Sequence, residues 1–330
     1  MRIVIAGAGA LGSVIGGYAA QAGGDVTLIG RKAHVEAIRA RGLEIDGVRG
    51  HHGIRGVRAI VDPREAGSAD LLILCVKSQD TPEALASLSH LRGRIGAAMS
   101  VQNGGRKDEV LAEAFGQEAV VGAMTLIGAS MPEPGRVHHT GNGGTWVGEL
   151  DGRPSARVEA IADLFRKAGL PVEVHSNIRS ATWCKLNQMV PASALSCATR
   201  LSLHRIYLDR GLATLFVELS REVAQIAERL HIPLEDFRGF AVKTVCSLPF
   251  EQAVESVIAR GRAMVEQGMT QVKISTLQDL ERGKRTEADH IIGHVLGLAA
   301  ELGLALPKLE LLYRIIQGIE GAQQASRPTG

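Results

Sequence analysis

The sequence predicts an α/β Rossmann-type domain over residues 1–175, followed by an all-α domain over residues 176–330. The chain opens with an apolar run at 2–6, a Gly-x-Gly-x-x-Gly turn, a helix rich in small residues and a second apolar run at 25–29. These segments in this order make one βαβ unit. In the second domain apolar residues recur every three or four positions and strand signals are almost absent, which is typical of packed helices.

The turn after the first strand predicts dinucleotide binding. Gly7 permits the tight exit from the strand, Gly9 lets the backbone approach a pyrophosphate, and Gly12 lets the helix pack closely on the sheet. The N-terminus of this helix offers free N–H groups and a partial positive charge to the phosphates. The alternative is a Gly-rich turn with a structural role alone. The residues predicted to bind the cofactor here are Gly7, Ala8, Gly9, Ala10, Leu11 and Gly12.

The end of the second strand favours NADPH/NADP+ over NAD. An NAD site usually places Asp or Glu there, where the carboxylate holds the ribose 2′-hydroxyl. Here Gly30 is followed by Arg31 and Lys32, and such cations attract a 2′-phosphate. We therefore predict that Arg31 binds the cofactor, while a solvated basic loop remains the alternative.

Further strands continue the predicted sheet. The strongest is the apolar run 70–76, which suits a buried parallel strand, and another follows at 97–101. Lys77 and Asn103 come soon after these strands, where ligands of doubly wound sheets lie, so both are predicted to border the cofactor crevice. Each could instead be an ordinary loop residue. The other predicted strands are 43–45, 57–61, 119–127, 135–140, 145–148 and 171–175, with helices at 34–41 and 155–168.

The second domain is predicted to consist of amphipathic helices. The apolar residues of 208–230 form a core-facing stripe, and Pro191 should kink the first helix. We expect the polar tail after Gly321 to fray. The predicted helices are 179–197, 208–230, 234–247, 252–266, 274–282, 286–302 and 308–318.

Composition argues against several classes of protein. A net charge of +2 and an aromatic content of 3% give no indication of binding to nucleic acid or to a membrane surface. The four cysteines show no Cys-x-x-Cys spacing, which favours reduced thiols. The chain also lacks the run of about 18 apolar residues that a membrane span needs. We therefore expect a cytoplasmic protein with neither a nucleic-acid nor a membrane partner.

Several motifs beyond the glycine turn follow one another in a recognisable order. They are Val76-Lys77, Gln102-Asn103-Gly104, residues 135–141, Trp183-Cys184-Lys185-Leu186, Leu277-Gln278-Asp279 and Thr286-Glu287-Ala288-Asp289. With the glycine turn, this set resembles the ketopantoate reductase (2-dehydropantoate 2-reductase) family over nearly the whole chain. The resemblance implies a Rossmann-type domain and a C-terminal domain like that of 6-phosphogluconate dehydrogenase. It also implies NADPH-dependent reduction of a 2-oxo acid in a cleft between the domains.

The resemblance assigns roles to individual residues. Lys185 would donate the proton to the carbonyl oxygen, and Glu287 would position the lysine and the substrate, which makes these two the predicted catalytic residues. A cation beside that oxygen would stabilise the alkoxide formed by hydride delivery. Without the family pattern, the alternative is that Lys185 is a surface lysine beside a core tryptophan. Glu287 would then be a carboxylate in the first turn of a helix, where the helix dipole favours it. The residues predicted to bind substrate are Asn103, Lys185, Ser193, Ser275 and Glu287, with Lys77 on the nicotinamide side.

Three departures from the family pattern concern the substrate. Met189, Ser193 and Val272 stand where asparagine is common. A site built for the hydroxyl and carboxylate of ketopantoate would lose affinity without these amides. Either Asn187, Ser193 or Lys273 compensates, or the substrate is a different and less polar 2-oxo acid than 2-dehydropantoate.

Other readings remain open beside the reductase. Glu287, His290 and His294 share a helix face, as ligands of carboxylate-bridged metal sites do, but no second copy of the motif exists and no metal is predicted. A non-catalytic NADP(H)-binding sensor is the hypothesis from a different functional class. The apolar helical domain could form a homodimer interface or a monomer core, and periodicity does not distinguish them.

Overall fold

The computed structural model of the chain describes residues 1–325, and contacts divide it into two units, Met1–Ala181 and Thr182–Gly330. The division falls inside a helix, shortly after the predicted domain boundary at 175/176. The last helix continues through 322–325, so the expected fraying directly after Gly321 is wrong for these residues. The rest of the predicted tail, 326–330, lies outside the described part of the chain.

The first unit alternates strands and helices through most of its length. Its strands are β1 (Arg2–Ala6), β2 (Asp25–Ile29), β3 (Leu43–Gly47), β4 (His52–Ile54), β5 (Arg58–Ile60), β6 (Ala69–Leu74), β7 (Ile95–Ser100), β8 (Gly122–Glu133), β9 (Arg136–Gly148) and β10 (Val172–Val174). Its helices are α1 (Ala10–Gln21), α2 (Lys32–Arg41), α3 (Thr81–Ser87), α4 (Lys107–Phe115), α5 (Ala156–Lys167) and the start of α6 (Ile178–Thr199).

A parallel sheet carries the predicted cofactor residues. Its strand order is β5-β2-β1-β6-β7, and every neighbouring pair is parallel. Ile3 and Ile5 of β1 pack into one core cluster, while Val4 and Ala6 pack into another, because successive side chains of a strand point to opposite faces. Burial on both faces explains the continuous apolar runs of the sequence. The Rossmann-type fold class is confirmed.

A second sheet, in the order β10-β9-β3-β4 with β8 paired to β9, completes the first unit. The two strands predicted at 135–140 and 145–148 are wrong as separate elements, since β9 runs through both. The glycines between them do not end the strand. The β8–β9 ladder instead shifts register at three places, and glycine within a strand commonly marks such bulges.

The second unit is mainly helical, as predicted. After α6 it contains α7 (Leu203–Leu208), α8 (Arg210–Arg229), the strands β11 (Asp236–Phe237) and β12 (Phe240–Ala241), α9 (Val242–Ser247), α10 (Phe250–Glu266), α11 (Ser275–Glu281), α12 (His294–Glu301) and α13 (Pro307–Ala325). Asp209 begins α8, because its carboxylate accepts the backbone N–H of Leu212 at 2.9 Å. The predicted stripe of α8 faces the core, with Phe216 and Val223 almost fully buried.

Two predicted helices differ from the structure. The helix predicted at 234–247 is wrong in its first half, where β11 and β12 pair across a two-residue turn that contains Gly239 at φ +101°. A positive φ suits glycine and ends helical geometry. The helix predicted at 286–302 begins instead with a π-helical segment, Asp289–Gly293, before α12. Among residues 1–325, no helix combines the length and the apolar composition needed to cross a membrane.

Candidate active site

The glycine turn has the geometry that each of its glycines was predicted to require. Gly7 has φ +100°, and a Cβ atom there would lie 2.6 Å from the backbone nitrogen of Val76. A Cβ on Gly12 would lie 2.3 Å from the carbonyl oxygen of Gly7, whereas a Cβ on Gly9 would meet no heavy atom within 4 Å. The backbone at Gly9 is therefore open to a ligand at the N-terminus of α1, where N–H groups favour an anion.

A cleft of about 630 Å³ lies at the carboxyl edge of the parallel sheet, lined by Gly7, Ala8, Gly9, Arg31 and Lys77 among others. The structure thus brings together five of the predicted cofactor residues. Ala10, Leu11 and Gly12 form the first turn of α1 beside it. The side chain of Arg31 is 94% exposed, and its guanidinium lies 3.8 Å from the carboxylate of Asp80.

A buried histidine holds the start of α2 beside the glycine turn. The backbone N–H of Gly135 donates to Nδ1 of His34 at 2.9 Å, so Nε2 carries the proton and donates to the hydroxyl of Ser13 at 2.9 Å. Burial lowers the pKa of His34, which keeps the ring neutral. His34 also lines the cleft. Sequence reasoning missed this residue, since a single histidine on a helix gives no signal.

Gln102 links the loops that carry Lys77 and Asn103. Its side-chain nitrogen donates to the carbonyl oxygen of Val76 at 2.8 Å and to the hydroxyl of Thr81 at 2.7 Å. The hydroxyl of Ser78 donates to the backbone oxygen of Asn103 at 3.3 Å. Because β6 and β7 are parallel neighbours, both loops leave the sheet at the same edge. The sequence motif contained Gln102, but its role in joining the loops required the structure.

The predicted catalytic residues belong to the helical unit. Lys185 lies in α6 and is half-buried, and its neighbours in the sequence, Cys184 and Leu186, are buried. Glu287 is 7% exposed and lies just before the π-helical segment. Ser275 is the exposed first residue of α11. A lysine ammonium group can donate a proton to an oxyanion, as a general acid does.

The polar residues that could compensate for the missing asparagines have other partners. The amide nitrogen of Asn187 donates to the backbone oxygen of Ser220 at 2.9 Å, inside the helical core. The hydroxyls of Ser193 and Thr276 lie 3.2 Å apart, and both residues are only 2% exposed.

Lys273 also has a partner of its own, since its ammonium group pairs with Glu281 at 2.6 Å. Val272, by contrast, is exposed. Within residues 1–325 no three His, Cys, Asp or Glu side chains are grouped so that they could hold a metal ion.

Comparisons with known proteins identify the family of the chain. The family model described as "Ketopantoate reductase PanE/ApbA" matches residues 3–152, and "Ketopantoate reductase PanE/ApbA C terminal" matches residues 177–320. The protein belongs to the ketopantoate reductase family. The 2-dehydropantoate 2-reductase of Pyrococcus abyssi is 32% identical over 98% of this chain and 99% of its own length. That of Archaeoglobus fulgidus is 30% identical over 97% and 98%.

Solved structures extend the likeness to the fold. A PanE/ApbA family ketopantoate reductase from Ralstonia eutropha JMP134 aligns with a TM-score of 0.81 and 31% identity, over 98% of this chain and all of that one. A D-mandelate dehydrogenase aligns with a TM-score of 0.82 at 22% identity over similar lengths, which concerns the fold alone. Membership makes this ketopantoate reductase homologue an oxidoreductase that acts on CH–OH groups, and the family's cofactor is NADPH.

Proposed function

We propose that this protein uses NADPH to reduce a 2-oxo acid to a 2-hydroxy acid, with 2-dehydropantoate as the leading substrate. The observation that carries the proposal is the retained pair Lys185 and Glu287, in a chain that matches 2-dehydropantoate 2-reductases over nearly its full length. A purely NADP(H)-binding sensor would not need a half-buried lysine and a buried carboxylate in its helical unit.

The cleft of the first unit fits the cofactor. The open backbone at Gly9 and the N-terminus of α1 suit the pyrophosphate. Val61, Pro63 and Leu88 give the same cleft apolar walls that suit an adenine ring. The exposed guanidinium of Arg31 can pair with a 2′-phosphate, which is the basis for proposing NADPH over NADH.

The chemistry assigned to the helical unit is proton transfer. When bound, the cofactor supplies the hydride that reduces the carbonyl carbon. Lys185 donates a hydrogen bond to the carbonyl oxygen, stabilises the negative charge that develops there, and then gives up a proton to form the hydroxyl. Glu287 holds the ammonium group in place before the transfer. Asn103 and Ser275 bind the polar groups of the substrate in this proposal.

Turnover of a Lys185→Ala variant tests the assignment. We expect kcat with 2-dehydropantoate to fall by about 100-fold or more, as is usual when a general acid is removed. The affinity for NADPH should stay unchanged, because Lys185 belongs to the helical unit. Lys273→Ala is the matched control, since it removes a lysine of the same unit that pairs with Glu281. Wild-type turnover of Lys185→Ala would show that the acid is misassigned.

A less polar 2-oxo acid is the second candidate substrate. It is favoured by Met189 and Val272, and by Ser193, whose hydroxyl pairs with Thr276. The decisive comparison is 2-dehydropantoate against 3,3-dimethyl-2-oxobutanoate, which has the same carbon skeleton without the hydroxyl group. A site that binds the hydroxyl rejects the deoxy acid strongly, whereas an apolar site does not. If 2-dehydropantoate has the higher kcat/KM, the second candidate is wrong.

A further inference from the structure

The last helix, α13, presents two polar side chains on its buried face. Leu309 and Ile316 of this face are fully buried in the core of the helical unit. Tyr313 and Glu320 follow them at the three- and four-residue spacing of one helix face. Polar groups on a core-facing stripe need partners. Both partners lie in the segment that carries Glu287.

Tyr313 binds the segment just after Glu287. Its hydroxyl donates to one carboxylate oxygen of Asp289 at 2.7 Å, and Arg285 contacts the other carboxylate oxygen at 3.1 Å. The hydrogen bond from Tyr313 holds the pKa of Asp289 below its usual range. Burial, followed by the bond to Asp289, raises the pKa of Tyr313 to about 12. The hydroxyl is therefore a donor throughout the physiological pH range.

Glu320 binds the segment just before Glu287. Its carboxylate accepts the backbone N–H of Thr286 at 2.8 Å. The hydroxyl of Thr286 in turn accepts the N–H of Ala288 at 3.0 Å. Side chains of a single helix thus hold a residue on each side of Glu287, through the backbone of Thr286 and the carboxylate of Asp289.

The segment that begins at Asp289 has an unusual backbone. Asp289–Gly293 is π-helical, a geometry that is rare and frequent at functional sites. The carbonyl oxygen of Glu287 accepts the N–H groups of both His290 and Ile291, at 3.0 and 2.9 Å.

Gly293, at the end of the π-helical segment, makes room for Tyr313. A Cβ atom at this position would lie 2.7 Å from the tyrosine hydroxyl oxygen and 3.1 Å from Cζ. Any side chain at 293 would therefore push against the ring that binds Asp289.

We propose that Tyr313 and Glu320 are positioning residues, which set the direction of the Glu287 carboxylate by holding Asp289 and Thr286, on either side of it, against α13. This inference rests on the proposed function, because it requires Glu287 to act in turnover. It assigns roles to two residues far along the chain from the catalytic pair. Displacement of a catalytic group by about 1 Å can cost about 100-fold in rate.

The test compares Tyr313→Phe with Glu287→Gln and with the double variant. We expect Tyr313→Phe to lower kcat by about 10- to 100-fold, with little change in the KM for NADPH. Because Tyr313 acts through Glu287, the double variant should be no slower than Glu287→Gln alone. Losses that multiply in the double variant, or a Tyr313→Phe enzyme with wild-type kcat, would overturn the inference.

Glu222→Gln is the control for a general loosening of α13. Glu222 of α8 accepts the backbone N–H groups of Lys308 and Leu309 at 3.2 and 3.0 Å, at the other end of α13. This variant should lower the melting temperature without lowering kcat. If it slows turnover as much as Tyr313→Phe does, α13 acts only as a support and the positioning role is refuted.

Gly293→Ala provides a second and independent variant. It should lower kcat in the wild-type background, because its methyl group meets the tyrosine hydroxyl. In the Tyr313→Phe background that atom is gone, so the added loss should be smaller. Equal losses in both backgrounds would contradict the proposed contact.

The outcome of Glu287→Gln separates this inference from the proposed function. If Glu287→Gln turns over like the wild type, the proposed role of Glu287 is wrong and the positioning role is wrong with it. If Glu287→Gln is impaired while Tyr313→Phe is not, only the positioning role is wrong.

Discussion

Two glycines of the same turn should respond differently to one added methyl group. A Cβ at Gly12 would lie 2.3 Å from the carbonyl oxygen of Gly7 and 3.0 Å from the side chain of Ile5. A Cβ at Gly9 would meet no heavy atom within 4 Å. Gly12→Ala should therefore damage the fold, whereas Gly9→Ala should damage the cofactor site.

The size of each effect follows from these distances. Because the clash at Gly12 is with a backbone oxygen, overpacking there should cost about 2–3 kcal/mol, partly offset by about 1 kcal/mol because alanine favours the helix. A net cost of about 1–2 kcal/mol lowers the melting temperature of a unit of this size by about 2 to 8 °C. Gly9→Ala costs about 0.5 kcal/mol at a helix N-cap. Loss of one hydrogen bond to a charged pyrophosphate would weaken NADPH binding by about 10- to 150-fold.

The assays are thermal unfolding followed by circular dichroism, and fluorescence titration with NADPH well below the melting temperature. The expected result is a crossed pattern, in which Gly12→Ala loses stability and Gly9→Ala loses affinity. A Gly9→Ala variant with wild-type affinity would refute the close approach of the pyrophosphate at this residue. An unchanged melting temperature for Gly12→Ala would refute the packing argument.

Three further perturbations follow from the first unit. Arg31→Ala should raise the Kd for NADPH by about 10-fold or more and leave the Kd for NADH unchanged. Both constants are measured by titration, with Lys32→Ala as the control variant. Equal effects on both cofactors would contradict the assignment of Arg31 to the 2′-phosphate. Burial lowers the pKa of His34, so the unfolded state binds more protons and stability should fall as pH drops below about 6.5. The melting temperature of His34→Gln should fall less steeply over the same pH range. Parallel plots of melting temperature against pH for the two proteins would show that His34 does not cause the loss. Gln102→Leu should lower kcat/KM by about 10-fold, because the loop of Lys77 loses two hydrogen bonds. An unchanged kcat/KM would show that these hydrogen bonds do not position the loop.

The sequence predicted most reliably what depends on local pattern. The alternation along β1 places Ile5 and Val4 in opposite cores, and a continuous apolar run is enough to predict such a strand. Each glycine of the turn could be given a role because the motif has a known backbone. Such features need no knowledge of distant partners.

Features that depend on distant partners were missed. The segment before α9 has apolar residues at a helical spacing, yet Gly239 turns it into a hairpin, since turn chemistry outweighs periodicity at that point. The contacts of His34 with Gly135, and of Tyr313 with Asp289, join residues far apart in sequence. No local pattern in a single sequence indicates such pairs.

The polarity of the substrate site depends on contacts that the sequence alone does not show. The sequence located the departures, but it left open whether neighbouring polar residues replace the missing amides. In the structure the amide nitrogen of Asn187 donates to Ser220 and the ammonium group of Lys273 pairs with Glu281. Ser193, with its hydroxyl against Thr276, is 2% exposed.

The amide nitrogen of Asn187, the ammonium group of Lys273 and the hydroxyl of Ser193 each already have a protein partner, and the exchange of one hydrogen bond for another contributes little net affinity. The amide oxygen of Asn187 has no hydrogen-bond partner within residues 1–325, but the residue is only 1% exposed. Met189, which packs against the helical core, offers an apolar contact instead. Met189→Asn should therefore raise kcat/KM for 2-dehydropantoate relative to 3,3-dimethyl-2-oxobutanoate. An unchanged ratio would mean that Met189 does not contact the substrate, and that the loss of asparagine at this position has no bearing on which 2-oxo acid is reduced.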